Sequence, residues 1–270
     1  MINEKVINVI NDAFDFLTDK GYEVVCVNLY GSQNYGLETP NSDIDLKAVV
    51  LPSLDDIINN VSPISTSVEF KGGLIDIKDI RLMLDNYKKQ NTNYLETLFT
   101  VYNAISSKYE KEWLELRSMA EDIVRADIVK AAKAFYGMAL QKQEALCHPY
   151  PSKVDLIDKW GYDAKQLCHI VRLHCMLDKF LEEPVVDYED ILNLCDDKVF
   201  KSVLIKIKTY EMNFKPDEAK RYAADYMRLM KEMVDKVVAN ADNYPVNTEV
   251  YDKMDKIKAD IIKKYFKSRL

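Results

Sequence analysis

The chain of 270 residues holds only 7 glycines and 8 prolines, too few for a loop-dominated or disordered polypeptide. No apolar run approaches the roughly 20 residues that a membrane-spanning helix needs. The opening residues, Met1-Ile2-Asn3-Glu4-Lys5, lack the pattern of a secretory signal. Five cysteines, Cys26, Cys147, Cys168, Cys175 and Cys195, stand apart, with no C-x-x-C pair and no Cys/His spacing of a zinc site. They read as small buried hydrophobes in a reducing compartment. The expectation is a soluble, cytoplasmic protein with no membrane partner; its oligomeric state is not encoded legibly.

Positive charge is also scarce where it would matter for a long nucleic-acid footprint. Residues 1–105 carry 8 Lys and Arg against 15 Asp and Glu, whereas residues 106–270 carry 29 of each. The net charge of −7 therefore belongs to the first part of the chain. Such a balance disfavours a broad phosphate-tracking surface and fits a site built from carboxylates.

What is present begins with helical spacing at Val6, Ile7, Ile10, Phe14 and Leu17, with Asn3 as the expected N-cap and Gly21 as the stop. An apolar run, Val24 to Leu29, reads as a buried strand and ends in Gly31-Ser32. Turn formers Gly36, Pro40 and Asn41 separate it from a second apolar run, Ile44 to Leu51. Ser65–Phe70 and Leu74–Ile77 flank Lys71-Gly72-Gly73, a hairpin signal. Asp79 is the expected cap of a helix carrying Ile80, Leu84 and Tyr87, and a short helix is expected over 91–99. Beyond residue 105 strand signals nearly stop, and helical periodicity is read near 107–120, 124–146, 158–181, 188–194, 197–209, 216–240 and 249–266. The expectation is a small α/β unit over 1–105 followed by a helical domain over 106–270.

Asp43 and Asp45 stand two apart at the mouth of the second strand, so period-two alternation turns both carboxylates the same way. Hard divalent cations prefer such oxygen ligands, and a Gly-Ser turn can grip phosphates through backbone N–H groups. Nucleotidyl transfer needs in-line attack on an α-phosphate between metal-held oxygens, with three converging carboxylates as the expected set. Asp76, on a neighbouring expected strand, is the third candidate, and Glu69 in the other hairpin arm is the alternative. Lys47, two residues beyond Asp45, could direct its charge at the same site. A calcium loop is excluded, because the run from Asn41 lacks glycine at its sixth position and glutamate at its twelfth.

The composite Gly31-Ser32-x-x-Tyr35-Gly36-Leu37-x-Thr39-Pro40-x-Ser42-Asp43-x-Asp45 resembles the signature of the DNA polymerase beta-like nucleotidyltransferase superfamily. Its longer form is similar to the RNA-repair-pathway branch. So are Asp76-Ile-Lys-Asp79-Ile-Arg81 with Asn91 and Leu95-Glu96-Thr97-Leu98, and the block Gly161-Tyr162-Asp163-x-Lys165-x-x-x-His169-x-x-Arg172-Leu173. Asn91-Thr92 departs from the branch's Asn-Pro, and residues 182–270 carry no matching motif.

The resemblance implies a small mixed β-sheet nucleotidyltransferase domain ahead of an all-α domain. It implies Asp43, Asp45 and Asp76 as catalytic residues, with Asp43 and Asp45 as ligands of Mg²⁺ or Mn²⁺ and Asp76 as the third carboxylate, binding a metal or activating the acceptor hydroxyl. It implies Gly31 and Ser32 at the nucleotide phosphates, an NTP substrate, and an acceptor hydroxyl that could be an RNA 3′ end. At 100° per residue, Lys165, His169 and Arg172 fall within about 60° of arc, opposite Leu167, Ile170, Val171, Leu177 and Leu181. With the resemblance, that stripe is expected to bind nucleotide phosphate. His174, on the apolar side, is expected to be partly buried, and Tyr35 either stacks on a base or ribose or packs. The other functional readings are a non-catalytic nucleotide-binding module and a transferase acting on a protein or small-molecule hydroxyl.

Overall fold

The computed structural model describes residues 4–40 and 42–267; Asn3, the expected first cap, and Asn41 lie outside them. Helix α1 (Glu4–Asp19) buries Val6, Ile10, Ala13 and Leu17, one face at helical spacing. Gly21, at φ +86°, turns the chain into β1 (Glu23–Tyr30). After a 3₁₀ turn over Ser32–Asn34, β2 runs from Asp45 to Leu51 and α2 spans Leu54–Ile58. Ser53 and Asp56 close a reciprocal capping box on α2. Strands β3 (Ser65–Phe70) and β4 (Gly73–Asp79) meet at Lys71-Gly72, both at positive φ, the two-residue turn that matches strand twist. Gly73 has no room for a side chain, since a Cβ would lie 2.2 Å from the Ile44 carbonyl oxygen.

Asp79 caps α3 (Ile80–Lys88), accepting from the Arg81 amide. Helix α4 (Thr92–Leu95) runs into a 3₁₀ turn over Glu96–Leu98, and β5 (Asn103–Ile105) follows. The sheet order is β3-β4-β2-β1-β5. Only β2 and β4 pair in parallel; the other neighbours are antiparallel, so the sheet is mixed. Strand β5 is absent from the sequence-based expectation: three residues are too few for a periodicity to show.

The two faces of this sheet differ in chemistry. Val27, Leu29, Leu46, Ala48, Val50, Ile75 and Ile77 project to one side and form a core with α1. The alternate residues, Asn28, Tyr30, Asp45, Lys47, Asp76 and Lys78, take the other side, because neighbours in register share a face. Helices α5 (Glu110–Ser118) and α6 (Ala120–Val124) complete this part of the chain.

Next come α7 (Ile128–Ala145), α8 (Val154–Trp160), α9 (Ala164–Phe180), α10 (Tyr188–Leu192), α11 (Lys198–Lys208) and α12 (Pro216–Ala239). The last described helix is α13 (Thr248–Lys267). The expected helix over 158–181 is broken at Gly161, which caps α8 at φ +75°. A Cβ there would lie 2.4 Å from Pro216 Cγ, so position 161 demands glycine for conformation and for space.

Two compact units result. One comprises residues 1–34, 40–126 and 246–270; the other comprises 35–39 and 127–245. Their limits are not those of a division at 105/106. Helix α13 buries Val250, Met254, Ile257, Ile261 and Tyr265 and packs against α3, α5 and α6, which draws all four into the sheet unit. In the helical unit α7, α9 and α12 pack on one another, with α11 against α9. None of the helices is long and apolar enough to cross a membrane, among the described residues.

Candidate active site

The polar face of the sheet is organised by the β2–β4 pairing. Lys47 stands in register with Asp76, and Asp45, two residues before Lys47, shares its face. Strand β2 begins at Asp45, so Asp43 lies in the preceding loop, exposed to solvent. The alternation argument thus reaches Asp45 and Asp76, while Asp43 stands outside it, in the loop ahead of β2. Asp45 Oδ1 accepts from the Leu74 amide at 3.3 Å. Gln33 Nε2 holds the loop from the other side, donating to the carbonyls of Ser42 and Asp43 at 3.4 Å each. Glu69, the alternative third carboxylate, lies on β3, exposed and one strand further from β2 than Asp76.

Asp76 is occupied. Lys47 Nζ donates to its Oδ2 at 3.0 Å, and Lys78 Nζ reaches its Oδ1 at 2.8 Å. Lys47 is 4% exposed, and its ammonium lies 3.7 Å from the Tyr30 ring centroid and 4.6 Å from that of Tyr94. Burial pushes the Lys47 pKa down, against the upward pull of Asp76 and Glu96. For Lys78 burial also pulls down, but the hydrogen bond and charge of Asp76, with Tyr94, outweigh it and raise the group. The Tyr30 phenol is pushed up by burial and then by the negative charges of Asp45, Asp76 and Glu96.

At the end of β1, Gly31 adopts φ +83° and its amide donates to Glu96 Oε1 at 3.0 Å. A carboxylate thus already sits on the N–H that the resemblance assigns to phosphate. Glu96 is buried, and the Asn34 amide closes the 3₁₀ turn on the Gly31 carbonyl at 2.8 Å. Ser32 is half-buried at the start of that turn. No group of three His, Cys, Asp or Glu side chains is preassembled for a metal among the described residues. The donor chemistry of Asp43 and Asp45 suits a hard cation; Asp76, with both oxygens taken by ammonium groups, does not offer a ligand in this arrangement.

In the helical unit, the Gly161-Tyr162-Asp163 block builds the start of α9. Asp163 caps it through the Lys165 amide at 2.9 Å and pairs with Lys153 at 3.4 Å. The Tyr210 hydroxyl donates to the Tyr162 carbonyl at 3.0 Å and accepts from the Ala164 amide at 3.2 Å. Of the three residues expected on one polar stripe, Lys165 is exposed, His169 half-buried and Arg172 buried. The Arg172 guanidinium lies 3.6 Å from the Tyr35 ring centroid, so Tyr35 packs, 5% exposed, under an arginine. Of the stripe expected to bind phosphate, Lys165 alone is open to solvent. Arg172 Nε has no hydrogen-bond partner among the described residues.

His169 is held well below the usual histidine range by burial and then by the charges of Lys142, Arg172, Lys165 and Lys208. It is a neutral imidazole at pH 7 amid four cations. Lys208 also donates to the Leu37 carbonyl at 2.8 Å, tying down the segment that follows Tyr35. His174, as expected, is half-buried; its ring lies 4.9 Å from that of Tyr226.

The family model described as RlaP, RNA repair pathway DNA polymerase beta family, matches residues 7–256. The chain belongs to that family. Membership makes it a polymerase beta-like nucleotidyltransferase by descent, and proteins of that kind generally use divalent metals. The RNA repair pathway match also runs well past residue 181, where recognisable motifs stop. No curated protein matches the chain. A solved structure that matches is a nucleotidyltransferase-like protein from Exiguobacterium sibiricum, 10% identical, with 88% of this chain and 77% of that one covered. Its TM-score against this chain is 0.31.

Sequence reading of this family member missed Glu96 and Lys78 as parts of the site. Glu96 was visible only as part of a motif; its burial against Gly31 depends on a contact across 65 positions. Lys78 carried a usable signal, since it follows Asp76 by two and so shares its face.

Proposed function

We propose that this protein is a metal-dependent nucleotidyltransferase that moves a nucleoside monophosphate from an NTP to an acceptor hydroxyl. The observation that carries the reading is the parallel β2–β4 register, which sets Asp76 on the same face as Asp45, with Asp43 in the loop just ahead. Asp43 and Asp45 would hold Mg²⁺ or Mn²⁺, and Asp76 is the third carboxylate of the site. A bound divalent ion supplies positive charge at the phosphate oxygens as charge develops there.

The acceptor oxygen attacks the α-phosphorus, the bond to the bridging oxygen breaks, and pyrophosphate leaves while the acceptor's proton passes to water. Ser32 and the turn behind Gly31 are proposed to meet the triphosphate, with Glu96 fixing the Gly31 amide. Lys165, His169 and Arg172 are proposed to bind phosphate, a role supported by the four cations around a neutral His169. An RNA 3′ end is the proposed acceptor, on the family's description alone, and the cytoplasm is the proposed compartment.

The test is label transfer from α-labelled NTP to total RNA and to lysate protein, with wild type and Asp43→Ala. Wild type should label RNA and Asp43→Ala should not, while remaining folded. Label retained by Asp43→Ala sinks the carboxylate reading. Label arriving in protein instead of RNA moves the acceptor to a protein hydroxyl, and no transfer at all favours a non-catalytic nucleotide-binding module.

A further inference from the structure

Lys47 is buried in the sheet, yet its ammonium is aimed at the carboxylate expected to complete a metal site. Three groups converge on it. Asp76 Oδ2, from the adjacent strand and in register, accepts at 3.0 Å, and the Tyr30 and Tyr94 rings lie 3.7 and 4.6 Å away. The second oxygen of Asp76 is met by Lys78 at 2.8 Å, and Lys78 is itself fixed at 2.8 Å from Ser65 Oγ. One carboxylate is thus held by two ammonium groups, both on buried lysines.

A divalent ion on Asp76 would have to strip away a buried lysine, leaving its charge without a counter-ion and beside a like charge. Neither Asp43 nor Asp45 faces that obstacle: Asp43 is exposed, and Asp45 accepts one amide hydrogen bond. A second ion beside the first, about 3.5–4 Å away, would need carboxylate oxygens of its own, and Asp76 is the candidate to supply them. Here both oxygens of Asp76 are instead met by ammonium groups carried on the strands.

We propose that Lys47 is a resident cation at Asp76, so that the site takes a single divalent ion through Asp43 and Asp45. This rests on the nucleotidyltransferase reading given above. Lys47 is a positioning residue in this scheme: it neutralises Asp76, holds the carboxylate on the polar face of the sheet and excludes a second ion.

The test counts Mn²⁺ by electron paramagnetic resonance on the full chain, with a saturating NTP analogue whose α,β-bridge is methylene. Wild type should bind one Mn²⁺ per chain beyond the amount bound by the analogue alone in protein-free controls. Lys47→Met should bind two, and Lys47→Arg, which keeps the charge, should return to one. Asp43→Asn should bind none, which ties the counted ion to the carboxylate pair. Two ions in wild type overturn the proposal while leaving the carboxylate site standing, and that outcome does not depend on any variant folding. One ion in both wild type and folded Lys47→Met also overturns it, because the ammonium would then exclude nothing. No ion in wild type removes the underlying reading together with the proposal.

Discussion

Glu96 Oε1 accepts the Gly31 amide at 3.0 Å, joining the turn after the first strand to a 3₁₀ turn 65 residues later. Gly31 sits at positive φ, so the turn's geometry is set by backbone conformation, and Glu96 fixes where that conformation points. Replacing Glu96 by alanine leaves the Gly31 amide without this acceptor. We expect about 1–3 kcal/mol loss of stability in urea denaturation, and weaker NTP binding by equilibrium dialysis. Unchanged stability in Glu96→Ala would show the contact to be idle.

Asp76→Asn removes the charge opposite two buried or nearly buried lysines. Breaking a buried pair from one side typically costs about 3–5 kcal/mol, and the 18% exposure of the Asp76 side chain puts this case toward the lower end, at about 3 kcal/mol. Urea midpoints measure it. The double variant Asp76→Asn, Lys47→Met should recover part of the loss, since no unpaired ammonium then remains at position 47.

Arg172 over Tyr35 is a pair that a double-mutant cycle can isolate. Tyr35→Leu, Arg172→Met and the combination should give a coupling of about 1–2 kcal/mol, in keeping with a desolvated cation–π contact. A coupling near zero would mean that the two residues only share a location.

His169 makes stability depend on pH with a definite sign. Its folded pKa lies below the ordinary value of 6.5, so the unfolded chain binds the proton more readily. Stability is therefore fully present above about pH 6.5 and is lost as pH falls through the unfolded pKa toward the depressed folded one. His174 is lowered by burial and adds the same sign. Urea midpoints at pH 7.5 and 5.5 should fall less in His169→Gln than in wild type; an equal fall would remove His169 as a source.

Gly161→Ala should destabilise by more than the roughly 1 kcal/mol of positive-φ strain alone, because the new methyl meets Pro216 Cγ at 2.4 Å. Pro216→Ala in the same chain should relieve the steric share and leave the conformational one. Thermal melts separate the two.

Strand period, turn residues and caps were readable because they depend on neighbours in sequence. The Lys71-Gly72 hairpin, the Asp79 cap and the apolar runs of β1 and β2 are of that kind. What was hidden depends on pairing. Asp43 and Asp45 could be found two apart, but the parallel register that brings Lys47 against Asp76 is a property of two strands separated by a hairpin arm and a helix. Arg172 looked like a surface cation on a helical wheel, but it is buried, with the Tyr35 ring against its guanidinium. Gly161 sat inside one expected helix because its helical neighbours on both sides are strong, and its clash with Pro216 is 55 positions away. The motif block at 161–163 drew attention for chemistry, while its hydrogen bonds explain it as the scaffold of the α9 N-terminus.

Helix α13 returns to α3, α5 and α6 only after the whole helical unit has been traversed. On a ribosome, the sheet unit therefore begins first and finishes last. Its strands emerge early, but the groove that Ile257, Ile261 and Tyr265 fill stays open until residue 265 clears the exit tunnel. The helical unit, although later in sequence, has all of its chain available sooner and can close while the sheet unit still waits. Premature termination between residues 245 and 257 would thus spare the later unit and injure the earlier one.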